Sequence, residues 1–340
     1  MVRIRSTLED FAVDELPLYP PSGEGGHTFV RVEKRDATTE QVAAALARSA
    51  SVATGAVGYA GRKDRRAVAR QWFSVPGLDP DRALALEPAG ARVLEAARHP
   101  HKLRTGQLRG NAFAIAVRGV DAAAAAAALR RLAEIGRLGL ANRFGVQRFG
   151  RAGDNAERGR ALLEGRLRVR DRRAARFLVS ALQAAVFNEV LGRRPLALDR
   201  IEAGDVAQVV ASGGLFVVED EAREAPRAAA FEISATGPIF GCADVRERAP
   251  SGLPAARERA VLDAFGIAEL APPPGLRLRG TRRPLRVPVR AAAAERGDEL
   301  LRLRFELPAG SYATVLIEEL FGAVEDAGGP DDAQGASGLP

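Results

Sequence analysis

The spacing of apolar and polar side chains changes period several times along the chain, and each change predicts an element. From His27 to Lys34 the order Thr28, Phe29, Val30, Arg31, Val32, Glu33 alternates with period two, the pattern of a strand with one face on a core. Val2 to Arg5, Val57 to Ala60, Ala67 to Val75, Arg92 to His99 and Phe113 to Arg118 read as further strands. Between the first two strands lies the turn-rich Pro17 to Gly26. Thr38-Thr39-Glu40-Gln41 resembles a capping box and opens an alanine-rich helix to about Ser49. A second alanine-dominated helix is expected from Asp121 to Leu138. Strands and helices thus mix through the first 150 residues, with loops between them that carry charge.

Past Arg151 the pattern shifts. Arg151 to Arg176 is crowded with arginine, and Phe177, Leu178, Ala181, Leu182, Ala185 and Val186 recur at helical spacing inside Arg172 to Arg193. Short strands are expected near Val206 to Val210 and Leu215 to Glu219. Ala271-Pro272-Pro273-Pro274-Gly275 marks a boundary loop. Glu299 to Leu307 returns to strand spacing, Ser311 to Phe321 reads as a closing helix, and from Ala327 to Pro340 a disordered tail is expected.

Length and composition narrow the picture. A chain of 340 residues with 46% apolar side chains can bury a large core and favours two domains. Its formal charge of +7 favours an anionic partner, and all but Lys34, Lys63 and Lys102 of its 50 basic side chains are arginine. Arginine forks match phosphate and stack on bases, although the joint excess of alanine and arginine also fits high-GC coding. Cys242 is the only cysteine, which excludes an internal disulfide framework or a thiol-rich zinc site and suits a reducing cytoplasm. Charges at Arg3, Arg5, Glu9 and Asp10 stand where a signal peptide needs its apolar centre. No run approaches the roughly 18 uncharged apolar residues of a bilayer span, so a soluble, cytoplasmic protein is expected.

Three stretches carry candidate chemistry. In Gly58-Tyr59-Ala60-Gly61-Arg62-Lys63-Asp64-Arg65-Arg66 one carboxylate stands among four cations, which should favour its charged form and attract a polyanion. Taken alone, this run also fits a solvated charged turn. Leu103-Arg104-Thr105-Gly106-Gln107-Leu108-Arg109-Gly110-Asn111, led in by Arg98, His99, His101 and Lys102, suits phosphate contacts or a plain hairpin. Asn142-Arg143-Phe144-Gly145-Val146-Gln147-Arg148-Phe149-Gly150 gathers aromatic rings, amides and cations in nine residues, the means of holding an unstacked base, or else a core turn with buried phenylalanines. Other chemistries lack their parts. His27, His99 and His101 with one cysteine give no recognisable metal spacing, and Gly23-Glu24-Gly25-Gly26 lacks the lysine and hydroxyl of a P-loop. Pro308-Ala309-Gly310-Ser311-Tyr312 is not a nucleophile elbow.

Ala60 to Arg65 with Gln71, the Asn142 to Gly150 stretch, and Leu307-Pro308-Ala309-Gly310-Ser311-Tyr312-Ala313-Thr314 resemble, in order and spacing, the motifs of the tRNA pseudouridine synthase D family. Glu9-Asp10-Phe11, Gly23 to His27, the Leu103 to Asn111 loop and Leu178 to Asn188 support the resemblance, which spans nearly the whole chain. It implies isomerisation of uridine 13 of tRNA to pseudouridine, without cofactor or metal, by Asp64 acting as nucleophile at C1′ or as base at C2′. It further implies Arg5 as the basic partner of Asp64, Phe11 in the same pocket, Phe144 stacking on a flipped uracil, and Asn142 hydrogen-bonding the base. Lys63, Arg65, Gln147 and Arg148 complete the expected substrate contacts. Arg5 stands where the family often has lysine, and Arg143 where an aromatic residue is common.

The resemblance also implies an α+β fold: a catalytic domain with a mixed, largely antiparallel sheet and flanking helices, formed by residues 1 to 152 and 290 to 326. A second α/β domain, residues 153 to 289, would be inserted to clasp the RNA. No heptad repeat calls for a dimer, so a monomer working on tRNA is expected. Two rivals predict different behaviour: a non-catalytic RNA-binding or ribosome-assembly protein would be indifferent to Asp64, and a metal-assisted nuclease would cut RNA and stop on chelation.

Overall fold

The alternation that begins at His27 forms a nine-residue strand, His27–Arg35, whose Phe29, Val30 and Val32 are buried. In this computed structural model, which describes residues 1–88, 90–241, 249–267, 275, 276, 278 and 280–328, the strand lies inside a mixed sheet. The sheet order is Arg290–Gly297, Leu300–Pro308, Leu108–Arg118, Phe11–Pro17, Val68–Pro76, His27–Arg35, Ala91–His99. Neighbours are antiparallel except Phe11–Pro17 against Val68–Pro76. Arg3–Ile4 pairs in parallel with Glu325–Asp326 and touches Leu108–Arg118, while Gly58–Tyr59 pairs with Val68–Pro76. Cys242, Ala271 to Pro274 and the tail from Gly329 to Pro340 lie outside the described residues.

The capping box forms as the sequence predicts. Thr38 accepts from the Gln41 amide at 3.1 Å, and Gln41 Oε1 accepts from the Thr38 amide at 2.8 Å, which starts the Thr39–Ser49 helix. Val42, Ala43, Leu46 and Ala47 on that helix pack on Val30, Val32, Phe73, Val75 and Val93 of the sheet. Burial of large apolar side chains of this kind stabilises by about 1.5–3 kcal/mol each.

The chain divides into two compact units. The first holds Met1–Leu132, Val289–Ala313 and the chain from Ile317 on; the second holds Ala133–Pro288 with Thr314–Leu316. The Asn142 to Gly150 stretch therefore belongs to the second unit. That unit contains a four-stranded antiparallel sheet, ordered Leu215–Val217, Val206–Val209, Ile233–Ile239, Thr281–Pro284, and a two-stranded pair, Leu140–Ala141 with Arg286–Val287. Its longest helix, Arg172–Gly192, has the length and hydropathy of a membrane span, a property the residue count above did not anticipate. Leu178, Ala181, Leu182, Val186, Phe187 and Val190 of the helix are nevertheless buried by packing within the protein.

Arg286 organises this second unit. Its guanidinium, 1% exposed, donates to the carbonyls of Leu138 at 2.7 Å, Ile233 at 3.3 Å and Ala228, and lies 4.0 Å from the centre of the Phe231 ring. Leu138 and Ala228 sit in the last turns of two helices, Ala122–Leu138 and Glu221–Ala229, so one cation lies against the negative ends of both, although Ala228 also accepts from the Phe231 amide at 3.0 Å. Burial pushes the guanidinium down to about 10, against the opposing pull of Asp199, so it stays charged at neutral pH. Gly139, at φ +90°, is required beside it: a Cβ there would lie 2.5 Å from the Phe231 ring.

In the first unit, His99 is buried between Tyr19, stacked with ring centres 5.2 Å apart, and Phe29, at 4.2 Å. Burial, helped by the nearby cations, holds both His27 and His99 below the ordinary imidazole value. Asp10 is buried too, which opposes its ionisation, but the fork of Arg118 onto both oxygens at 2.7 and 2.8 Å brings it below the usual 3.8.

Two outcomes are expected. All three groups have lowered folded values, so their contribution is complete above the unfolded values and lost on acidification. Urea unfolding should show stability falling first as pH drops below 6.5, where the histidines must charge, and again below 3.8, where Asp10 must protonate. Arg286→Met should destabilise by about 2 kcal/mol or more in thermal or urea unfolding, because it takes the donor from the carbonyls of Leu138 and Ile233 at ~1–3 kcal/mol apiece, while Ala228 keeps the Phe231 amide.

Candidate active site

Asp64 lies on the stretch that joins strand Gly58–Tyr59 to strand Val68–Pro76. A chain of buried polar contacts fixes that stretch. Gln71, fully buried, donates to the Gly61 carbonyl at 3.2 Å and accepts from the Thr39 hydroxyl at 2.9 Å; that hydroxyl in turn accepts from the Lys63 amide at 3.0 Å. Lys34 Nζ, equally buried, donates to the carbonyls of Ala37 at 2.8 Å and Asp64 at 2.5 Å. The backbone of Asp64 is thus held by a cation from the strand beneath it.

Its side chain is held by another. Arg5 Nη2 donates to Asp64 Oδ2 at 2.5 Å, and Nη1 donates to a carboxylate oxygen of Asp326. The Arg5 guanidinium also lies 3.9 Å from the centre of the Phe11 ring, and Phe11 meets Phe113 edge to face at 6.2 Å. Arg5 is 5% exposed, whereas the Asp64 side chain keeps 36% of its surface open. A buried cation therefore backs a carboxylate that faces outward on its other side. Arg5 adopts φ +55°, a left-handed conformation that costs a non-glycine residue of order 1–3 kcal/mol.

The cations next to Asp64 in sequence go largely elsewhere. Lys63 turns inward onto Glu15 at 2.5 Å, both side chains buried, and Glu15 also accepts from the Trp72 amide at 3.2 Å. Arg62 pairs with Glu40 at 2.5 Å, Arg65 reaches Asp36 at 3.0 Å, and Arg66 reaches the Gly328 carbonyl at 3.5 Å. The expectation that all four would face Asp64 or a phosphate is corrected for Lys63, whose charge is neutralised inside the fold. Burying a lysine without a carboxylate would be costly, and Glu15 supplies one. Arg65 remains half exposed.

In the second unit Asn142, Phe144 and Arg148 of the Asn142 to Gly150 stretch turn inward, while Val146 is exposed. Asn142 Nδ2 donates to the Pro284 carbonyl at 2.9 Å, and its Oδ1 accepts from Arg283 Nη2 at 2.5 Å. Phe144, 5% exposed, is gripped through its backbone by the Asn188 amide, which accepts from its N–H at 2.9 Å and donates to its carbonyl at 3.0 Å. The Arg283 guanidinium lies 4.2 Å from the centre of the Phe144 ring. Arg148 is buried and lies 5.4 Å from Phe144 and 5.9 Å from Phe177, and Gln147 exchanges hydrogen bonds with the Thr314 hydroxyl at 3.2 and 3.3 Å. A side chain at Gly150, φ +81°, would strike the Asn155 amide at 2.5 Å.

Arg5, Phe11 and Asp64 thus converge in one unit, and Asn142, Phe144, Gln147 and Arg148 cluster in the other. Sequence reasoning missed Lys34, Asp326, Arg283 and Asn188. Lys34 left a faint signal as one of three lysines, placed on a strand position that alternation buries; Asp326 left none, because only sheet pairing brings it to Arg5.

The family model described as tRNA pseudouridine synthase D (TruD) matches residues 1–170 and 160–320. The chain is 46% identical over 330 residues to tRNA pseudouridine synthase D of Anaeromyxobacter sp. strain Fw109-5, covering 94% of this chain and 92% of that protein. It is 43% identical over 347 residues to the Thermus thermophilus protein of the same name, covering 98% and 93%. A crystal structure titled as tRNA pseudouridine synthase D from Methanosarcina mazei superimposes with a TM-score of 0.75 at 23% identity, over 95% of this chain and 94% of that one. That likeness shows the fold: α+β, with a mixed, largely antiparallel sheet and a second α/β part inserted in the chain. By both sequence and fold, the chain belongs to the tRNA pseudouridine synthase D family.

Proposed function

We propose that the protein isomerises uridine to pseudouridine at position 13 of tRNA, with Asp64 as the reacting group. The observation that carries this reading is the Arg5–Asp64 pair, a partly open carboxylate backed by a buried guanidinium at 2.5 Å. The reaction breaks the C1′–N1 bond, turns the uracil and joins C5 to C1′; the C5 proton is lost to solvent and N1 takes one up. As nucleophile, Asp64 bonds to C1′ while the electron pair of the glycosidic bond leaves with the uracil, and it is released when C5 attacks. As base, it takes the C2′ proton as the same bond breaks and returns it when C5 adds. Either route needs an ionised carboxylate held in place, which Arg5 and Lys34 provide.

The target nucleotide must leave its stack first, at a cost of a few kcal/mol, so base-binding groups are required. We assign Phe144 to stacking and Asn142 to the base edge, with Gln147 and Arg148 supporting them, Phe11 lining the Asp64 pocket, and Arg65 on the RNA backbone. In this assignment a base reaching Phe144 and Asn142 displaces Arg283 from both. In this reading residues 1–152 with 290–326 serve as the catalytic domain, residues 133–152 belonging to it by function although they pack with the second compact unit, and the arginine-rich 153–289 clasps the RNA. The protein works as a cytoplasmic monomer on tRNA, without metal or nucleotide cofactor.

Incubation with unmodified tRNA transcript in the absence of metal, followed by chemical mapping, should reveal pseudouridine at position 13. Asp64→Asn should lower the rate by at least about 10³-fold while tRNA binding stays within about tenfold. No product with the wild-type chain would favour a binding protein instead. Affinity for tRNA should fall with salt, by roughly 0.9 log units per log unit of salt for each duplex phosphate contacted; a flat salt response would contradict an arginine-borne interface.

A further inference from the structure

We infer that Asp326 is a positioning residue for the reaction: it holds Arg5 in place while Asp64 reacts. The inference rests on the functional reading above.

Four observations carry it. Arg5 spans two carboxylates, giving Nη2 to Asp64 and Nη1 to Asp326. Asp326 is itself fixed, since its Oδ1 accepts from the Gly328 amide at 3.0 Å. Its strand is fixed independently of that side chain, because the Glu325 amide donates to the Val2 carbonyl at 3.0 Å and the Ala327 amide to the Ile4 carbonyl at 3.1 Å. Gly328 closes over the group: a Cβ there would lie 2.8 Å from Arg5 Cδ and 3.0 Å from Asp326 Oδ1. Arg5 is thus clasped at one end of its fork independently of Asp64 at the other.

The chemistry explains why a second carboxylate is useful. During the reaction Asp64 loses its negative charge, either to a bond with C1′ or to the C2′ proton. If Asp64 were its only partner, Arg5 would then be a buried cation with no counter-ion, at the moment when the barrier is set. Asp326 keeps it paired throughout, so Arg5 need not turn toward solvent or follow Asp64. Ground-state binding of tRNA does not discharge Asp64 and should be little affected. The effect belongs on kcat rather than on KM.

The test compares the wild type with Asp326→Asn and Asp326→Glu in single-turnover pseudouridine formation, alongside tRNA Kd and thermal unfolding. Asp326→Asn is expected to slow the single-turnover rate by about 10- to 100-fold, the usual scale for a partner that orients a reacting group, with Kd within about twofold. Asp326→Glu should recover most of that loss. The melting temperature of both variants should stay near that of the wild type, because backbone pairing holds the strand. An unchanged rate in Asp326→Asn, or a loss that tracks the melting temperature and that Glu does not recover, overturns the inference. A wild type that makes no pseudouridine overturns the functional reading, and this inference with it.

Discussion

A guanidinium withdrawn from water must be matched by charge and by hydrogen-bond acceptors, and in this protein that requirement at Arg5 sets the geometry of the first unit. Arg5 sits at the end of a short strand, in a left-handed backbone conformation, with Phe11 beneath its plane. Its acceptors come from two distant parts of the chain, the Asp64 stretch and the Glu325–Asp326 strand. The sheet aligns Phe11–Pro17 between Leu108–Arg118 and Val68–Pro76, which brings Phe11 and the Asp64 stretch to the same region. Lys34 then pins Asp64 from below. Two buried cations, one on its backbone and one on its side chain, leave Asp64 little freedom except on its open side.

The second unit solves a related problem with the same residue type. Arg286 has carbonyls rather than carboxylates as hydrogen-bond partners, and burial lowers its affinity for its proton. Arg282 instead forks onto Glu258 at 2.6 and 2.8 Å, where burial holds the Glu258 carboxyl above its usual range against the pull of the arginine. Arg283, between them in sequence, reaches Asn142 and Phe144. Much of the arginine richness that suggested an anionic partner therefore has an internal use. Net charge alone overstated how many of these side chains are available to RNA.

Local signals were the legible ones. The Thr38 capping box, the alternation from His27 and the alanine-rich helices are each decided within a few residues, and they formed within a residue or two of expectation. The strand Phe11–Pro17 escaped because its polar positions, Asp14 and Glu15, interrupt the apolar pattern; Glu15 is buried only because Lys63 comes to meet it. Ile233–Ile239 escaped for a different reason. It contains Gly237 and Pro238, which ordinarily argue against a strand, yet every position is buried where Phe187 and Leu285 crowd Gly237. At the candidate site, the position of Asp64 was readable from its motif, but its ionic partner was not readable from its neighbours. Arg62 and Lys63 are adjacent in sequence and are drawn off by Glu40 and Glu15, while Arg5 arrives from another strand.

The pairing of Arg3–Ile4 with Glu325–Asp326 also bears on the order in which the protein is made. Arg5 and Asp326 are 321 positions apart, so a chain emerging from the ribosome carries Arg5 long before its second carboxylate exists. Contacts of such separation form late, since the chain entropy of closing so long a loop must be met before the contact rewards it. Until then the guanidinium has one acceptor at most from this pair. The second half of the clasp on Arg5 is consequently among the last contacts to form, whereas the groups that hold Asp64, Lys34 and Arg5, lie only 30 and 59 positions from it.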